Sequence, residues 1–185
     1  MLERVIIAGF GGQGVIFAGK LLAQAMMAEG RNVTYFPAYG PEVRGGRAHC
    51  HVVVSSDEIF SPVIARPDTL IVMNQISWDY FAPSLSPEGV AVVNSTMVAT
   101  GPAGIPGRLI PVPAAEIANE LGDVRVTNMI MLGAYNHARS LLPLDRLLEH
   151  LRSALADRKA ALYELNCQAV RKGVEAAAAA LAAPR

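Results

Sequence analysis

Cysteine is scarce in this chain. Of its 185 residues only Cys50 and Cys167 are cysteines, they lie far apart, and neither belongs to a C-x-x-C pair. A four-thiolate iron–sulfur cluster cannot be assembled from two thiols, so any electrons involved in its chemistry leave through another polypeptide. Excess charge is missing too: 16 Lys and Arg balance 16 Asp and Glu. Without a net field there is nothing to attract a polyanion, and neither nucleic acid nor an acidic membrane is an expected partner. Charged residues amount to 17%, below the roughly 25% of ordinary soluble domains, which leaves surface for a protein neighbour. Long hydrophobic runs are absent as well. The first one, Val5 to Ala8, is broken by glycines before it could form a signal-peptide core, and Arg171, Lys172 and Glu175 interrupt the alanine-rich end. No stretch approaches the roughly 18 residues of a membrane helix, so the expected location is the cytoplasm. No nucleophile elbow, Walker lysine or Ser-His-Asp ordering occurs, and no residue is expected to be catalytic by itself.

What is present is a core. With 52% hydrophobic residues, 185 residues fit one domain. Short apolar runs recur at Val5–Ala8, Val33–Phe36, Val52–Val54, Leu70–Met73 and Val90–Val93, several of them apolar at every position. Strands buried on both faces of a parallel sheet read this way. Val15, Ala18, Leu22 and Met26 recur at spacings of three and four, predicting a helix that Gly30 closes. A short helix before Pro83 links the fourth and fifth runs. Residues 101–113, rich in proline and glycine, read as a surface connection around a strand at Leu109-Ile110. From Thr127 the chain turns helical: Asn128 to Ser140, Leu144 to Leu151, and about Asp157 to Ala182 with a Leu162, Leu165, Ala169 stripe. The expected fold class is α/β, a three-layer, mostly parallel sheet with helices on both faces, its core at 1–140 and a C-terminal helical extension at 141–185.

Two segments carry candidate chemistry. Gly9-Phe10-Gly11-Gly12-Gln13-Gly14 follows a strand and opens a helix, the setting in which glycines let backbone N–H groups and a helix N-terminus approach a phosphate. The steric alternative is a tight turn with no ligand. A dinucleotide fold would carry an acid at the end of the second strand, but here that strand ends Tyr35-Phe36-Pro37, which argues against NAD or FAD. The second segment is Tyr39-Gly40-Pro41-Glu42-Val43-Arg44-Gly45-Gly46-Arg47. In a parallel sheet it lies at the same carboxyl edge as the glycine loop. Arg44 and Arg47 can grip phosphate or carboxylate bidentately, and Glu42 can orient either or pair across a subunit boundary. Asn74 and Asn128 sit at a strand-to-helix turn and a helix start, where capping is the plain reading. His49-Cys50-His51 alternates along a strand, placing Cys50 opposite two histidines, so no metal site is expected.

The combination of G-F-G-G-Q-G at 9–14, the amphipathic helix after it, Y-G-P-E-V-R-G-G at 39–46 and Ser61-Pro62 resembles the gamma subunit of the 2-oxoacid:ferredoxin oxidoreductases, over at least residues 3 to 140. The resemblance implies a complex in which thiamine diphosphate with Mg2+ sits between alpha and beta subunits, iron–sulfur clusters carry electrons away, in some members through a ferredoxin-like delta subunit, and coenzyme A receives the acyl group. It implies a coenzyme-A-binding role for this chain, carried by Gly11, Gly12, Gln13, Gly14, Tyr39, Gly40, Pro41, Glu42, Arg44, Gly45, Gly46, Arg47 and Asn74. Tyr39, Val43, the Gly45-Gly46 pair and Cys50 look closer to 2-oxoglutarate-, branched-chain- or aryl-type enzymes than to pyruvate-type ones. The competing readings are a scaffold subunit whose loops only make contacts, and an NAD- or flavin-binding reductase.

Overall fold

The computed structural model describes residues 1–39, 47–99, 105–156 and 160–183, with only the backbone of Tyr39. The apolar runs become six strands, β1 (Leu2–Phe10), β2 (Asn32–Tyr39), β3 (Arg47–Ser55), β4 (Thr69–Val72), β5 (Val90–Asn94) and β6 (Arg108–Val112), in the order β2-β3-β1-β4-β5-β6. β1, β4, β5 and β6 pair in parallel. β3 runs antiparallel to both β1 and β2, so it alone opposes the other strands. Its apolar run does not reveal this, because a strand buried on both faces is apolar at every position whichever way it points. Too few residues separate the end of β2 from the start of β3 for a parallel return, which needs a crossover of a dozen or more.

Six helices flank the sheet: α1 (Val15–Ala28), α2 (Gln75–Phe81), α3 (Ala114–Glu120), α4 (Thr127–Arg139), α5 (Leu144–Ala154) and α6 (Ala160–Ala182). Val15, Ala18, Leu22 and Met26 of α1 are all buried on the sheet. That helix ends at Gly30, whose positive φ lets Gly30 N–H bond Met27 O and Arg31 N–H bond Met26 O, the paired bonds of a Schellman stop. α3 carries no apolar periodicity long enough to be read from sequence, and it follows directly on β6. Pro111 is tolerated in β6 because that strand is an edge and one of its sides needs no donor.

The two faces are covered unequally. Residues of α1, α3, α4, α5 and α6 share one core with Val5, Ile7, Cys50, Val52 and Val54. On the other face Trp78 and Phe81 of α2, with Ile64 and Leu85, cover Ile6, Ala8, Val53, Leu70 and Val72. α4 and α6 meet backbone to backbone: a Cβ on Gly133 would collide with the Val170 carbonyl, and one on Gly173 with the Ile130 carbonyl. That close approach selects small residues for the buried side of α6, where Ala169, Val170, Gly173 and Ala177 sit. Ala169 belongs to the buried stripe as expected, whereas Leu162 and Leu165 stand half-buried at its flank. Among the described residues no helix is long and apolar enough to cross a membrane.

Candidate functional site

β1 and β4 are parallel neighbours, yet the helices that follow them leave to opposite faces of the sheet. Their carboxyl ends therefore flank a topological switch point, the place where open α/β sheets leave a crevice for ligands. β2 ends and β3 begins at this same edge, and Phe10 is the register partner of Arg47. Arg47, the last residue of the second segment, thus comes beside the glycine loop.

The glycine loop is latched from within. Gln13 folds its side chain back, where Oε1 accepts from the Phe10 N–H at 2.7 Å and from Asn74 Nδ2 at 3.1 Å, while Nε2 donates to Met73 O at 3.4 Å. A Cβ on Gly9 would stand 2.6 Å from that Gln13 Oε1, so the latch needs glycine there. Asn74 also caps α2, its Oδ1 accepting from Ser77 N–H at 2.9 Å. The capping reading of Asn74 therefore holds, and with both ends of its amide engaged and 1% exposure its geometry suits holding the loop. Asn128 differs from its expected role. It lies inside the first turn of α4 and reaches across to donate to Gly14 O at 3.1 Å, instead of capping its own helix. Gly14 has φ +72°, and a Cβ there would run into the Asn128 amide. Sequence reasoning missed this role because the partners are 114 residues apart.

With the Gln13 side chain turned inward, backbone at the glycines faces outward. Gly11 and Gly12 are exposed, and Gly12 at φ +104° has nothing within 4 Å of where a Cβ would be. α1 begins with no side-chain cap and no acidic residue in its first turn. Among the described residues, then, no side chain caps its first N–H groups and no acid in its first turn offsets the positive end of its dipole, an arrangement suited to an anion.

Arg47 opens β3 on the side of the sheet that faces α2, and its guanidinium lies over the ring of Tyr80 at 4.4 Å from the centroid. Rings continue from there: Tyr80 to Phe81 at 4.8 Å, Phe81 to His49 at 5.1 Å, His49 to His51 at 5.4 Å, and His51 to Phe36 at 6.2 Å. His51 Nδ1 accepts from the Ile64 N–H at 3.0 Å, which places the ring proton on Nε2, for which the described residues offer no partner. Burial, and then the neighbouring His49, push the His51 pKa down to about 4. His49 is lowered by burial and by Arg47. Cys50 points to the opposite face as expected, where burial pushes its thiol up to about 12, so it is an unreactive thiol. Among the described residues no three His, Cys, Asp or Glu side chains converge. Gly40, Pro41, Glu42, Arg44, Gly45, Gly46 and the Tyr39 side chain lie outside the described residues.

Sequence comparison matches residues 4–176 to the family described as pyruvate ferredoxin/flavodoxin oxidoreductase. The ketoisovalerate oxidoreductase subunit VorA of Methanothermobacter thermautotrophicus is 40% identical over 175 residues, which are 93% of this chain and 36% of that protein. The chain thus spans about a third of that relative's length. The keto/oxoacid ferredoxin oxidoreductase gamma subunit from Geobacter sulfurreducens superposes with a TM-score of 0.81 at 27% identity, covering 97% of this chain and 98% of that one. The 2-oxoglutarate:ferredoxin oxidoreductase from Magnetococcus marinus, solved with 2-oxoglutarate, coenzyme A and succinyl-CoA bound, superposes with a TM-score of 0.84 at 25% identity, covering 96% of this chain and 31% of that one. A match to nearly its whole length, in sequence and in fold, makes this chain a member of the pyruvate ferredoxin/flavodoxin oxidoreductase family, of the gamma-subunit kind.

Proposed function

We propose that this chain is the gamma subunit of a thiamine-diphosphate-dependent 2-oxoacid:acceptor oxidoreductase complex of the cytoplasm. The complex converts a 2-oxoacid to its acyl-CoA and passes electrons to ferredoxin or a similar acceptor. This chain's task in it is to bind coenzyme A and to contact the alpha and beta subunits and, where present, a ferredoxin-like delta subunit. The observation that carries this reading is the uncapped α1 N-terminus beside an open Gly12 at the switch point, in a fold shared over 96% of the chain with an enzyme solved with coenzyme A. The two distant, buried cysteines support assigning iron–sulfur clusters to partner subunits, and thiamine diphosphate with Mg2+ goes to them as well. The names of the relatives favour a 2-oxoglutarate or branched-chain 2-oxoacid as substrate.

Coenzyme A, when bound, supplies the thiol that takes the acyl group. The first-turn N–H groups of α1 hold its diphosphate, and Gly11 and Gly12 let the backbone approach it without a side chain in the way. Gln13, Gly14 and Asn74 keep the loop in the shape that presents those donors. Tyr39, Gly40, Pro41, Glu42, Arg44, Gly45, Gly46 and Arg47 are assigned to the same ligand, with Arg44 contributing a cation. The latch of Gln13, Asn74 and Asn128 also favours a second reading, in which the loop is a rigid subunit contact and binds no ligand. Kinetics of the reconstituted complex separate the two. Arg44→Ala should raise the KM for coenzyme A by the equivalent of about 1.5–3 kcal/mol while sparing the oxoacid KM. Gly12→Val should be worse, because a side chain obstructs both the turn and the ligand. Normal assembly with unchanged coenzyme A dependence in both variants would leave the scaffold reading standing.

A further inference from the structure

Tyr80 is not part of either motif, yet it holds Arg47, which lies beside the glycine loop. Its ring is 59% exposed and carries the Arg47 guanidinium at 4.4 Å, while its other neighbour, Phe81, packs against it edge-on at 4.8 Å. Among the described residues Arg47 has no carboxylate partner. The acid beside Tyr80 on α2, Asp79, instead accepts from Gln75 Nε2 at 2.8 Å. A guanidinium stacked on a ring keeps its N–H edge free in the plane, oriented for a bidentate anion, and the ring limits the rotamers the arginine must lose on binding.

The position of this pair specifies which anion it meets. Arg47 is the register partner of Phe10, one strand spacing from the glycine loop, and it lies on the α2 face, whereas the α1 N-terminus opens on the other. The edge therefore offers two separate anion features: a row of backbone N–H groups and a stacked guanidinium. Coenzyme A likewise carries two separate anionic groups on one ribose, a 5′-diphosphate and a 3′-phosphate. Several adjacent N–H donors at a helix end suit the diphosphate, which leaves the compact monoester for the arginine fork.

Building on the coenzyme A reading above, we propose that the Arg47–Tyr80 stack is the 3′-phosphate subsite, with Arg47 as the phosphate ligand and Tyr80 as the residue that positions it. The test uses the assembled complex and compares KM values for coenzyme A and 3′-dephospho-coenzyme A. The unaltered complex should prefer coenzyme A by roughly 10- to 100-fold, the range for a charge-assisted contact. Arg47→Ala should abolish that preference. Tyr80→Leu should raise the KM for coenzyme A about two- to fivefold, the scale of an exposed cation–π contact, and leave that for the dephospho compound unchanged. Tyr80→Phe should restore the preference, and the oxoacid KM should not move in any variant. Equal effects of Arg47→Ala and Tyr80→Leu on both thiols, no effect on either, or failure of these variants to assemble would overturn the subsite. If the unaltered complex turned over with no need of coenzyme A, the broader reading would fall as well. If that need persists and only the discrimination is insensitive to Arg47 and Tyr80, the subsite alone falls.

Discussion

On one face of the sheet five helices press so closely that α4 and α6 touch through Gly133 and Gly173 with no room for a methyl group. On the other, one seven-residue helix and a loop cover the strands, large side chains such as Phe36, Phe60, Ile76 and Tyr80 stand in solvent, and buried nitrogens of His49 and His51 find no partner. The first face is packed for stability, and its backbone contacts leave no slack for substitution. The second carries rings that can stack and, like the Tyr135 hydroxyl on the first, buried polar atoms with no partner among the described residues. The glycine loop sits where the two meet, its helix on the dense face and its neighbouring arginine on the sparse one. The division is visible in residue type: glycines and alanines allow close packing on one side, and aromatic and basic residues stack on the other.

The largest difference between the faces should appear when each is substituted and stability is measured by denaturant unfolding. Gly173→Val should cost about 3 kcal/mol or more, because the Ile130 carbonyl cannot move aside without separating α4 from α6. Phe60→Ala on the sparse face, where that ring is 92% exposed, should stay within about 0.5 kcal/mol of the parent. Similar losses at the two sites would erase the distinction.

Next in size is a difference in pH response. His51 is held neutral with its pKa down near 4, so below the ordinary histidine range the unfolded chain binds a proton that the folded chain refuses. Stability should therefore fall by about 2–3 kcal/mol as pH drops from about 6.5 to 4, and His51→Gln should flatten that limb. Cys50 on the dense face is pushed the other way, to about 12. Its contribution is present below the ordinary thiol pKa and is lost as pH rises from about 9 toward 12, because the unfolded thiol ionises first. A Cys50→Ala chain should lose the alkaline limb and keep the acid one. Identical pH profiles for the parent and both variants would contradict the burial of these groups.

A smaller effect sharpens the boundary between the faces. Asn128→Ala removes the amide that holds Gly14 O and should cost about 1–2 kcal/mol. Hydrogen exchange in the variant should quicken at the start of α1 before it does so in β4 or β5. Unchanged exchange there would mean that Gln13 and Asn74 alone fix the loop.

Much of this arrangement is legible in the sequence, for local reasons. The Gly9–Gly14 loop, the α1 stripe and the stop at Gly30 are set by neighbouring residues, and the alternation that separates Cys50 from the two histidines is a property of any strand. The direction of β3 is not legible, because its Val52-Val53-Val54 run answers to burial and not to orientation. α3 is too short to display a period. The buried side of α6 is chosen by what α4 presents, so the leucines that look like a stripe stand at its flank. The inward turn of Gln13, the reach of Asn128 to Gly14 and the stacking of Arg47 on Tyr80 all join residues distant in sequence, and each single residue admits a simpler local reading.

In the proposed function the α1 N-terminus, presented by the glycine loop, binds coenzyme A. The most direct measurement is amide hydrogen exchange of the assembled complex with and without coenzyme A, resolved over residues 10–18. Saturating coenzyme A should slow exchange at Gly11 to Phe17 and leave the amides of α5 unchanged. Exchange at Gly11 to Phe17 that stays the same while the complex turns over coenzyme A would place the ligand elsewhere and contradict the account.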